Sequence, residues 1–135
     1  MSLDPIKVQD TSNWFRKAKN DIRAAELLVS DSDLVDEVAF HCQQAVEKCL
    51  KGYLFWNGHP FEKKHDLNLL SQNCLLIDGS LNSVLIGVAP LTQYAVEYRY
   101  PGPLVHPTDA EARGFIQLSK TVYGAIAPKL PFAIS

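Results

Sequence analysis

Val35-Asp36-Glu37-Val38-Ala39-Phe40-His41-Cys42-Gln43-Gln44-Ala45-Val46-Glu47-Lys48-Cys49-Leu50-Lys51-Gly52-Tyr53-Leu54-Phe55-Trp56-Asn57-Gly58 is the stretch on which the fold turns. Val35, Val38, Cys42, Ala45, Val46, Cys49 and Tyr53 recur at spacings of three and four, the period of one helix face. Asp33 can cap this helix, and Asp36 and Glu37 in its first turn favour the helix dipole. Asn57-Gly58 stops it, with Pro60 just beyond.

The same grammar extends outward in both directions. Upstream, Trp14, Ala18, Ile22, Ala25 and Leu28 predict a first helix that begins near Thr11-Ser12-Asn13 and ends by Ser30-Asp31-Ser32. Downstream, a third helix is expected from Asp66 to Leu75, closed by Asp78-Gly79. A fourth is expected from Leu81 to Tyr98, with Pro90 forcing a kink or break. Pro101, Pro103 and Pro107 then exclude regular helix. Thr108 and Glu111 make a capping box for a last helix, whose buried face is Ala112, Phe115, Ser119, Val122 and Ile126, and which Pro128 ends. No stretch alternates at period two long enough to build a sheet. The prediction is all-α: one domain over residues 1–135, an up-and-down bundle of four to five helices with its core at about 12–127.

Composition narrows the function classes. Hydrophobic residues make up 47% and charged residues 21% of the chain, ordinary globular values. A net charge of −2 gives no whole-protein attraction for nucleic acid, so any such site must be a local basic patch. Cys42, Cys49 and Cys74 form no CxxC pair and read as small core hydrophobes. Met1 to Asp10 has no apolar leader, and no run approaches the ~18 apolar residues of a membrane span. The expectation is a cytoplasmic protein with no membrane segment, metal or cofactor.

At about 100° per residue, Glu37, His41, Gln44, Lys48 and Lys51 fall within an arc of about 80° on the second helix. One reading is a solvated face carrying i,i+4 pairs. The other is a site in which imidazole, amide and ammonium groups meet a phosphate or a base edge.

Ala39-Phe40-His41-Cys42-Gln43-Gln44-Ala45-Val46-Glu47-Lys48-Cys49-Leu50-Lys51-Gly52-Tyr53-Leu54 resembles the signature helix of the HEPN family. Lys64-His65-Asp66-Leu67 resembles that family's His-Asp-Leu segment before its third helix, and Arg99-Tyr100-Pro101 matches a third feature in order and spacing. The resemblance runs from about Ser12 to Ala127. It implies a helical bundle that commonly dimerises and binds nucleotides or RNA. It also implies pairing with a minimal nucleotidyltransferase in a toxin–antitoxin-like system. By resemblance, nucleotide or RNA contacts would fall to His41, Gln44, Lys48, Lys51, His65 and Arg99.

Some members of the family are metal-independent endoribonucleases that use an arginine and a histidine. Here Arg99 and His106 stand with six residues between them. A histidine can take the ribose 2′-hydroxyl proton or protonate the leaving oxygen, and an arginine can hold the phosphate. Tyr100 follows the arginine where active members usually carry a polar residue. The alternative has Arg99 satisfying carbonyls at the end of the fourth helix and His106 exposed in the loop. His65 could instead cap the third helix or bond a buried carbonyl, and His59 reads as a turn residue. Tyr94, Tyr98 and Tyr100 could stack on a base, or pack in the core or at a subunit contact. A structural adaptor that binds no nucleotide is the third functional class. Leu81, Leu85 and Val88 are expected to form a second apolar surface for a homodimer.

Overall fold

Asp4 and Pro5 start the first helix, in the computed structural model that describes residues 2–95 and 106–134. Asp4 Oδ1 accepts from the backbone N–H groups of Ile6 and Lys7, and the proline needs no such partner at the first helical position. Helix α1 therefore runs Pro5–Leu28, two turns longer than the expected start at Thr11. Thr11 and Ser12 are buried mid-helix, and the Thr11 hydroxyl donates back to the Lys7 carbonyl instead of capping. A short 3-10 turn at Ser32–Leu34, capped by Asp31, reverses the chain into α2, Val35–Trp56. Gly58, at φ 68°, ends α2. Its N–H donates to the Phe55 carbonyl and that of His59 to Leu54, the paired bonds of a Schellman cap.

Asp66 caps α3, Leu67–Ile77, by accepting from Asn68 and Leu69. The expected fourth helix is broken, as Pro90 requires, and into more pieces than a single interruption makes. It is a 3-10 turn at Gly79–Leu81, a single helical turn α4 at Asn82–Leu85, and a 3-10 stretch at Ala89–Tyr94 with Pro90 in its first turn. The remainder of that expected helix, with Tyr98, lies outside the described residues. The Thr108–Glu111 capping box is present in both directions and opens α5, Asp109–Ile126. Its buried face carries Ile116, while Phe115 is only half-buried beside the core. All structure among the described residues is helical or irregular, as the sequence pattern predicts.

Helix α2 is the axis of the bundle, with α1, α3 and α5 packed around it. Phe15, Ala18 and Ala25 of α1 meet Val38, Cys42, Val46, Cys49, Leu50 and Leu54 of α2. Burial pushes the Cys42 and Cys74 thiols up to about 12 and raises Cys49 as well, so all three are held as neutral packing groups. Leu81, Leu85 and Val88, expected on a dimer surface, are buried in the chain's own core. The broken fourth helix folds them inward; Ile86 points out instead, 76% exposed. Past α5 the chain returns to the bundle. Phe132 packs edge-on to Trp56, and Lys129 bonds Asp78 at the end of α3, holding that carboxyl down at about 2.

Helices α1 and α2 pack tightly at Gly52. A β-carbon there would sit 2.8 Å from Trp14 Cβ and 2.8 Å from the Phe15 ring. Alanine would gain up to about 1 kcal/mol of helix propensity over glycine. Overpacking against a backbone-proximal atom costs about 1–3 kcal/mol. The second effect wins, so Gly52→Ala is expected to lower the thermal midpoint. An unchanged or raised midpoint would show that the two helices slide apart freely.

Candidate functional site

Helix α2 carries polar groups in two seams, each organised by a carboxylate. In the first, Asp21 of α1 reaches across the helix pair. His41 Nδ1 donates to its Oδ1 at 2.9 Å and Lys48 Nζ to its Oδ2 at 2.5 Å. In the second, Glu47 of α2 itself is 4% exposed. It accepts from Gln43 Nε2 at 2.9 Å, Lys51 Nζ at 3.2 Å and His65 Nδ1 at 2.8 Å. Gln44 Nε2 donates to Gln43 Oε1 at 2.7 Å, which joins the stripe to the second seam. Lys51 also lies 5.7 Å above the Phe61 ring, whose edge meets Trp14.

The stripe seen on the helical wheel is thus neither a plain solvated face nor a row of free cations. His41, Gln44 and Lys48 are half-buried, and Lys51 is buried outright. Each cation faces an internal carboxylate, which cancels most of the field it could offer an incoming phosphate. Asp21 and Glu47 were absent from the set read off the sequence. Glu47 sits just outside the arc, and Asp21 lies 27 residues before Lys48. Glu37, within the arc, buries Oε2 with no hydrogen-bond partner among the described residues.

His65 is fixed by the second seam. Its neighbour Asp66 takes the capping role, which frees the imidazole to dock on Glu47 while its outer half stays in solvent. His59 is a turn residue, with Nδ1 donating to the Pro60 carbonyl at 2.9 Å.

His106 lies far from both seams in sequence and meets the first turn of α2. Its Nδ1 sits 2.8 Å and 2.7 Å from the two oxygens of Asp36, across 70 residues. An ionised carboxylate only accepts, so the neutral ring carries its proton on Nδ1 and keeps the Nε2 lone pair available. The side chain is 54% exposed, so the ring stands at the surface. A base oriented by a carboxylate, next to solvent, can move a proton. Pro107 is buried and Thr108 begins the α5 cap, so the histidine is anchored from its C-terminal side too. Its proposed partner Arg99 lies outside the described residues, as does Tyr100. Tyr94 is buried and tilted against Phe115, the packing alternative for that ring.

Among the described residues no group of three or more His, Cys, Asp and Glu side chains converges as a metal site, and no helix is long and apolar enough to cross a membrane.

A family model described as the HEPN domain matches residues 11–129. A proposed toxin of Methanocaldococcus jannaschii is 30% identical over 97 residues, covering 67% of this chain. The match covers 62% of that protein, so this chain spans less than two thirds of the relative's length. No solved structure matches the chain significantly.

Proposed function

The chain belongs to the HEPN domain family, and on that premise we propose that it is a toxin-like domain directed at RNA, with His106 as its acid–base group. The observation that carries this reading is the His106–Asp36 pair: a half-exposed imidazole whose Nδ1 is committed to a carboxylate. The likeness to a proposed archaeal toxin supports the toxin-like part. In the step envisaged, His106 Nε2 takes the proton of a ribose 2′-hydroxyl. The freed oxygen attacks the adjacent phosphorus to form a 2′,3′-cyclic phosphate, and the bond to the 5′-oxygen breaks as that oxygen takes up a proton from water. Arg99 would hold the phosphate and balance its developing charge. The same reading has two chains pairing, so that two such sets meet, and has the homodimer working beside a minimal nucleotidyltransferase.

The test is single-stranded RNA incubated with the protein in EDTA, beside Arg99→Ala and His106→Ala. Cleavage by the parent and by neither variant is the expected result. Equal cleavage by parent and variants would assign the activity to a contaminant and end the reading.

A second reading keeps the α2 stripe as a nucleotide contact, because His41, Gln44 and Lys48 retain partial exposure. Lys51 contributes to it only through Glu47. ATP and GTP titrated into the labelled protein would then shift the amide NMR signals of α2 around these residues. No shift at saturating nucleotide would remove the stripe from the binding surface.

A further inference from the structure

Helix α1 carries a set of cations that the proposed chemistry does not use. Arg16, Lys19 and Arg23 recur at three and four, so they share one face. They line a groove of about 340 Å³ with Asn20, and its other wall is Tyr123 of α5 and Ile134 from the returning C-terminal segment. Among the described residues no carboxylate lines this part of the groove, and Glu26 lines the part that adjoins it beside Lys19, Arg23 and Tyr123. Arg16 bonds only the neighbouring Asn13 side chain, and neither Lys19 nor Arg23 has an acidic partner among the described residues. This contrasts with Lys48 and Lys51, each matched to an internal carboxylate. In a chain of net charge −2, three unmatched cations along about 10 Å of one helix face are a concentrated local field.

The groove has a direction. Arg113 of α5 lies with Glu26 and Val29 at the far end of α1, and Tyr123 lies with Lys19 and Arg23, so α1 and α5 run antiparallel. Following α5 from Tyr123 back to Asp109 covers about 20 Å and ends three residues after His106. Lys120 and Arg113 stand on that path, with Lys120 paired to Glu26 in solvent.

We infer that this α1–α5 groove is the track for the sugar–phosphate backbone of single-stranded RNA, leading the strand toward His106. Cations that follow a backbone, next to an aromatic ring in the same wall, are the combination that holds single strands without reading sequence. Tyr123 supplies the ring; it is half-buried and held edge-on by Phe15, so it presents a fixed surface. The inference rests on the RNA-directed reading above.

The test uses fluorescence anisotropy of a labelled 2′-O-methyl oligouridine, which cannot be cleaved through its 2′-oxygen, across a salt series. Arg16→Gln, Lys19→Gln and Arg23→Gln together keep helix propensity and remove three charges. This variant is expected to lose roughly tenfold or more in affinity, and its salt slope should flatten by about 2, at about 0.7 per lost phosphate contact. Lys17→Gln, Lys63→Gln and Lys64→Gln remove the same charge elsewhere and should leave affinity within about twofold. Equal losses in the two triple variants, or no loss in the first, overturn the groove while leaving the RNA reading in place. A parent that binds no oligouridine overturns both. Binding of poly-glutamate as tight as that of the oligouridine would overturn the groove's assignment to RNA, in favour of an acidic protein surface.

Discussion

Replacing Glu47 with alanine is expected to lower the unfolding free energy by roughly 3–5 kcal/mol, the range for removing one partner of a buried ion pair. The carboxylate is 4% exposed and holds three donors, from Gln43, Lys51 and His65. They do not suffer equally when it is gone. His65 is half in solvent and simply rehydrates. Lys51 is only 8% exposed, and Gln43 is fully buried, so an ammonium and an amide are stranded together. Against a typical total of about 5–15 kcal/mol, that loss is a large fraction of the domain's stability. Glu47→Met with Lys51→Met should recover much of it, because two apolar chains of similar volume leave no unpaired charge. Urea unfolding at constant slope is the measurement. A loss below about 1 kcal/mol would mean the pair behaves like an exposed one, and failure of the double variant to recover would assign the cost to shape rather than charge.

The second large effect is kinetic. In the RNA assay His106→Ala should remove about 10²- to 10⁴-fold of the cleavage rate, the usual contribution of a positioned acid or base. Asp36→Asn keeps the size and some hydrogen-bonding capacity but no longer obliges the ring to hold its proton on Nδ1. A fully buried carboxylate in that role is worth about 10⁴ in rate. Asp36 is partly in solvent, so a loss of roughly tenfold or more is expected here, below that of the histidine itself. The loss should fall on kcat with KM little changed, since the carboxylate orients the base and does not hold substrate. Its first-turn contribution to α2 is about 0.3–1 kcal/mol, so the fold survives. Unaltered cleavage by Asp36→Asn would reduce the pair to a surface contact.

What could be read from the chain alone was what local spacing encodes. The α2 stripe, the Asn57-Gly58 stop and the Thr108–Glu111 box each need only a few neighbouring residues, and each stands where expected. The start of α1 is equally local, but Thr11-Ser12-Asn13 imitates a cap and competes with the true one at Asp4-Pro5. In the fourth helix the break at Pro90 is legible in the sequence, but the short pieces before it and the burial of Leu81, Leu85 and Val88 in the chain's own core are not, because they follow from packing. At the site, the wheel found the cations of α2 and not what they face. Asp21 answers His41 from 20 residues away, and Asp36 answers His106 from 70. Pairings between helices follow from packing, which no spacing rule carries. The basic face of α1 was invisible for the same reason: its residues become a groove only where α5 and the chain end supply the opposite wall.

That last dependence bears on how the protein comes into being. Helices α1 and α2 are joined by a few residues and meet at Gly52, so their hairpin is the cheap, early part of folding. Tyr123 and Ile134, a hundred residues beyond the cations they face, can join them only after nearly all of the present sequence has left the ribosome. Thus a chain still in synthesis carries the charges but not the groove. If it attacks RNA, the protein is born beside the messenger and ribosomal RNA of its own translation, and the order of its folding withholds its grip until α5 and the segment through Ile134 have emerged.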